Sequence, residues 1–174
     1  NGAQRRRLTH FLLERCYAVV VATSGIDRAH RMFTVLNDRG KPLARNDILK
    51  AELLGGVPAG RQTAAIALWD GTEARLGGEF ESLFSHVRTM YGRPGAHVIA
   101  GIRAVVAECG GAAPFLEEVL VPAAATFDDI LNARHAGSAH SATISATLRY
   151  LGWLPAADWV PAAMLWWLER GRDA

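Results

Sequence analysis

Lysine and cysteine are both scarce, with two of each in 174 residues, and each shortage removes a class of explanation. Cys16 and Cys109 lie far apart and form no C-x-x-C pair, which suits a reduced protein of the cytoplasm better than a disulfide framework. His10, His30, His86, His97, His135 and His140 never take the H-x-x-x-H or H-E-x-x-H spacing that sets two ligands on one helix face, so no metal site is expected. Long hydrophobic runs are missing too. None approaches the roughly 18 residues of a membrane span, and no signal-peptide pattern is recognisable, so a membrane partner is not expected. An excess of one charge is also lacking: the net charge is +2, too small for a global field that draws the chain onto nucleic acid.

What is present is apolar and helical. Half the residues are hydrophobic, 21% are charged and the mean hydropathy is +0.08, values of a folded chain with ample core. The length suits one domain, or one domain with a remnant of another. Arginine outnumbers lysine 17 to 2 in an Ala- and Gly-rich chain. This bias reads first as genomic base composition and only second as selection for phosphate binding.

Apolar spacing and Gly/Pro breaks predict helices over 3–15, 26–36, 45–54, 60–76, 79–91, 96–108, 113–132, 141–151 and 157–170. Tyr17 to Thr23 is the one convincing strand, β-branched and closed by Ser24-Gly25. It is apolar on both faces, as inside a sheet, so its partners are expected elsewhere, in a preceding part of the protein or in another chain. Pairing of two copies through Val19, Val20 and Val21 is one route to a homo-oligomer. The fold class expected is mainly α: an irregular helical bundle with one short strand and a helix–turn–helix motif, not a DNA-reading one, near the N-terminal end.

That motif is the most specific stretch of the chain. Phe33-Thr-Val-Leu-Asn-Asp-Arg-Gly-Lys-Pro-Leu-Ala-Arg-Asn-Asp47-Ile-Leu-Lys50 runs from an amphipathic helix through a polar turn into a second helix. Gly40 suits the left-handed residue that ends a helix, and Pro42 stops the first helix from resuming. Ala44 stands where a Ser or Thr cap is usual, a loss of about 1 kcal/mol. Turn chemistry explains the Gly and the Pro. It leaves unexplained why Asn37, Arg39, Asp47 and Lys50 crowd around one turn.

The pattern F-x-x-L-N-x-R-G-x-x-L-x-x-x-D-(I/L)-L-K resembles the N-terminal domain of GmrSD-type restriction endonucleases (domain-of-unknown-function family 262). The likeness is densest from Ile26 to Leu54 and continues more loosely through Tyr150-Leu-Gly-Trp153. It implies a ParB/sulfiredoxin-like nucleotide-handling domain ending near residue 56, followed by a helical bundle domain over 57–174. It further implies that the parent protein cuts foreign, often modified, DNA with a nucleoside triphosphate and Mg as cofactors. Asn37, Arg39, Gly40 and Lys50 would then be nucleotide-binding, with Asp38 and Asp47 in support. The family's upstream Asp-Gly-Gln-Gln-Arg motif and its His-containing nuclease motif are both missing from the sequence, which is therefore expected to be a fragment with no catalytic residue of its own. A sheet before it and a nuclease domain after it would be its partners, with DNA reached through the parent protein. The alternative is a non-catalytic helical interaction or scaffold module.

Other residues have plainer readings. Asp47 and Lys50, three apart, could form an ion pair on one helix face or brace Arg39 and supply positive charge. Arg5, Arg6 and Arg7 read as a solvated helix face, and Arg28 and Arg31 as polar-face residues with a smaller claim on phosphate. Trp153, Trp159, Trp166 and Trp167 are expected in the core rather than in a base-stacking platform, with one of the adjacent pair facing outward, since neighbours on a helix diverge by about 100°. His135 and His140 are expected to be solvated.

Overall fold

A computed structural model describes residues 2–17 and 45–169. They belong to two compact units, divided between Leu43 and Ala44. In the first unit, helix α1 (Gly2–Arg15) has every residue exposed, and Tyr17 beyond it is irregular and open to solvent. The expected strand from residue 18 on, the helix over 26–36 and the turn holding Asn37, Asp38, Arg39 and Gly40 lie outside the described residues.

The second unit is a helical bundle, and no strand occurs among the described residues. It comprises α2 (Arg45–Gly55), α3 (Gln62–Leu76), α4 (Phe80–Met90), α5 (Val98–Glu108), α6 (Ala112–Leu131), α7 (Ser141–Leu151) and α8 (Val160–Glu169). Short 3-10 turns lead into α3 and α4. These boundaries follow the sequence expectations closely, because Gly and Pro punctuate the chain. One sharp break is Gly110-Gly111, where both residues have positive φ (81° and 128°) that a side chain would oppose. Across it α5 and α6 meet at 105°.

The core is one apolar cluster. Trp69 of α3 is fully buried, edge-on to Phe80 and stacked on Phe84 of α4, with ring centroids 5.1 and 5.7 Å away. Ile102 and Val105 of α5 and Phe115, Leu116, Leu120 and Phe127 of α6 complete it, each at most 2% exposed. Helix α6 packs on α3, α4 and α8, so it forms the axis of the bundle. Helix α2 belongs to the same core through Ile48, Leu49 and Leu53. Helix α7 contributes one buried residue, Leu148.

Within α6 the segment Phe115–Leu120 is wound as a π-helical turn, and the Val121 N–H reaches back to the Leu116 carbonyl. Pro122 gives the reason. It has no N–H for the turn before it, and its ring crowds the carbonyl four residues back, so the backbone widens there. No sequence rule applied above anticipates this turn.

Two expectations need correction. Trp153 is 77% exposed and so is not a core residue, whereas Trp159 and Trp167 pack against the core and Trp166, 42% exposed, is the outward-facing one of the adjacent pair, as expected. Trp153 sits in the turn after α7, beyond the helix face that Leu148 anchors, and so has no neighbouring layer to enter. His135 is not solvated either. Its ring lies edge-on to Trp167 at 4.7 Å, and its Nδ1 is 3.2 Å from the Ser141 hydroxyl. Apolar packing of the ring is combined there with a satisfied ring nitrogen. His140 is exposed, as expected.

Candidate functional site

Of the motif residues, Asp47 and Lys50 fall within the described structure, both on α2. Ile48, Leu49 and Leu53 turn inward and leave the polar residues between them on the outer faces of the helix. Three ion pairs fasten that outer surface. Arg45 meets Glu81 of α4 at 3.2 Å, Lys50 donates to Asp70 of α3 at 2.8 Å with Glu73 at 3.7 Å, and Glu52 accepts two bonds from Arg103 of α5 at 2.6 and 2.8 Å. The Glu52–Arg103 pair is bidentate, and Glu52 is only 15% exposed, a geometry stronger than that of an open surface pair. The hydrogen bond that Lys50 donates to Asp70, opposed by burial and aided by the charges of Asp70 and Glu73, raises the Lys50 ammonium above the usual lysine range.

Lys50 is therefore a cation already compensated by two carboxylates. A phosphate reaching it has to compete with Asp70. Asp47 stands exposed in the first turn of α2, at the positive end of the helix dipole. Asn37, Asp38, Arg39 and Gly40 lie outside the described residues. Sequence reasoning missed Asp70, Glu73, Glu52 and Arg103. The i,i+3 spacing of Asp70 and Glu73 on one face of α3 was the one available signal.

Compared with known proteins, the chain matches no family model, and no curated protein or solved structure is significantly similar to it. The site has to be judged on its own geometry.

Two further regions of the bundle are open. A cleft of about 530 Å³ lies between α4, α6 and α8, floored by Met90, Pro122 and Leu165 and edged by Tyr91, Glu118 and Glu169. Burial pushes the Tyr91 hydroxyl up from its ordinary range, and the Cys109 thiol and the Glu108 and Glu118 carboxylates push it the same way. Such a lining disfavours anions. The other region is apolar. Trp153, 5.2 Å edge-on from Tyr150, borders a groove of about 420 Å³ floored by Leu131, Trp159 and Val160. Among the described residues no three His, Cys, Asp or Glu side chains gather as a metal site would require. No described helix is long and apolar enough to cross a membrane.

Proposed function

We propose that this chain is part of a nucleotide-dependent, modification-dependent DNA restriction protein of the phage-defence kind, and that it forms the joint between the nucleotide pocket and the remainder of that protein. The Phe33–Lys50 pattern supports the nucleotide assignment. The carrying observation for the joint is that α2, the second helix of the motif, is built into the bundle by its apolar face and by ion pairs to three other helices. A displacement at the turn before α2 would be passed to α3, α4 and α5, because a packed core moves as discrete bodies rather than deforming smoothly.

In this reading Asn37, Arg39 and Gly40 contact the nucleotide, Arg39 through its planar fork to phosphate, and Asp38 and Asp47 hold that arrangement. Lys50 adds positive charge at the edge, shared with Asp70 and Glu73. A nucleoside triphosphate with Mg would supply the chemical driving force in the parent protein. Of the residues that would hold it, the described ones offer Lys50 in an already neutralised setting, so the fit of the nucleotide rests on Asn37 to Gly40.

The test separates binding from coupling in the protein that carries this segment. Arg39→Ala is expected to abolish nucleotide binding by calorimetry. Arg103→Ala, which unfastens α2, is expected to keep nucleotide binding and to reduce nucleotide stimulation of DNA cleavage. Undiminished nucleotide binding by Arg39→Ala refutes the reading. The exposed aromatic surface around Trp153 favours a second reading, a non-catalytic helical interaction module, which prevails if millimolar ATP and GTP with Mg both fail to bind.

A further inference from the structure

The end of the bundle formed by α7 and the turn after it leaves Trp153 77%, Tyr150 64%, Leu154 53% and Leu131 48% exposed. Trp153 and Tyr150 touch, and Trp153 and Leu131 line the same groove, so the surface is continuous. These four side chains leave on the order of 500 Å² of apolar area open, the size of the largest patch a monomer exposes, which is often a functional surface. A standard interface buries about 800 Å² per partner, a little over half of it apolar. The open area is thus what one side of such an interface contains.

The charges at its edge indicate the occupant. Arg149 lines the groove, and Asp158 precedes Trp159 in the same turn region. Neither has an ion-pair partner among the described residues, in contrast to Arg134 close by, which meets both Asp128 and Asp129. One cation and one anion, both without an ion pair among the described residues, do not suit a nucleic-acid strand, which needs a basic track beside its stacking residues. They suit a surface that meets itself. In a two-fold interface each patch is its own complement, so an apolar centre flanked by one charge of each sign is self-matching. We infer that this face is a homodimer interface, closed about Trp153 and Tyr150, in which Arg149 of each copy pairs with Asp158 of the other. The proposal uses residues other than Val19 to Val21, and it does not depend on the nucleotide reading.

Sedimentation equilibrium of the full chain over a wide concentration range tests this. The expected result is a reversible dimer whose dissociation constant rises about thirtyfold in Trp153→Ala, the effect of removing a central aromatic anchor. Arg149→Asp and Asp158→Arg are each expected to weaken the dimer about tenfold, and the double charge swap to restore it to within about threefold of the parent. Far-UV circular dichroism should be unchanged, because all three side chains lie at the surface. A monomer at every concentration overturns the inference. So does a dimer that Val20→Asp abolishes and Trp153→Ala leaves intact, or a charge swap that fails to rescue. Binding of a single-stranded oligonucleotide that Trp153→Ala removes, with no dimer formed, overturns it in favour of a stacking surface.

Discussion

Replacing Trp69 tests the account of the core most directly, because two opposed effects meet at that residue. The indole is fully buried against Phe80 and Phe84, and its Nε1–H has no hydrogen-bond partner. Truncation by Trp69→Ala removes the whole ring, and a buried Trp→Ala change costs about 3–5 kcal/mol. Trp69→Phe keeps one ring against its neighbours and removes the stranded donor, whose burial costs about 1–3 kcal/mol. Against that gain stands a cavity the size of the lost ring, on the order of 40 Å³, worth about 1 kcal/mol at the usual cost per volume, together with the lost transfer energy of the missing atoms. The two sides nearly cancel, so Trp69→Phe should cost less than about 1.5 kcal/mol. Urea unfolding followed by far-UV circular dichroism reads both variants without relying on indole fluorescence. With a slope near 1.5 kcal/mol per molar, Trp69→Ala should lower the midpoint by about 2–3 M and Trp69→Phe by less than about 1 M, at unchanged slope. A Trp69→Phe variant as unstable as Trp69→Ala would refute the reasoning, since it would mean that the Nε1–H stabilises the fold.

A Cβ on Gly101 would meet the Arg88 stem at 2.6 Å, while Arg88 also donates to the Ala96 carbonyl. Gly101→Ala should therefore destabilise by about 1–2 kcal/mol, and become stabilising by up to about 1 kcal/mol in an Arg88→Ala background, where helix propensity acts unopposed; the sign change in thermal unfolding is the check. His86 lies edge-on to Phe127 at 5.0 Å, and burial lowers its pKa, partly offset by Glu79. Its folded pKa being below the unfolded value near 6.5, the unfolded chain takes up the proton first. Stability should fall as pH drops from about 6.5 toward the folded pKa, and His86→Gln should flatten that part of the stability–pH curve. Removing Glu52 deletes both of its hydrogen bonds from Arg103, so Glu52→Ala should cost about 1–2 kcal/mol by chemical denaturation, more than the loss of an exposed pair such as Arg45–Glu81.

The helices were legible because their ends are local chemistry. Gly77-Gly78, Gly92 to Gly95 and Gly110-Gly111 each fall between helices whose apolar spacing had already marked them. The partners of the polar residues were not legible. Lys50 lies 20 residues from Asp70 and Glu52 lies 51 from Arg103, and such pairs exist only once the helices have docked. The tryptophans misled for a related reason. Hydrophobicity says that Trp153 gains by burial, but only the placement of neighbouring layers decides whether a layer is there to bury it. Of the motif, the sequence pattern singles out the residues around Asn37 and Arg39, while the structure accounts for the helix that follows them.

Buried positions in α6 recur every fourth residue, through Phe115, Val119, Ala123 and Phe127. In an ideal α-helix that spacing would drift by about 40° at each step and carry Phe127 away from the core. The π turn before Pro122 absorbs the drift, because it takes up one residue more than an α turn needs over the same arc. The helix thus holds a residue it can lose. Deleting exposed Glu117 in a Pro122→Ala background, which removes the cause of the widening, should let the turn relax to α geometry and leave the downstream face aimed at the core. The same deletion placed after Val121, where no residue is in surplus, would rotate Phe127 and Ile130 toward solvent. Tolerance of a change in chain length is in this way confined to one turn of the bundle's axial helix.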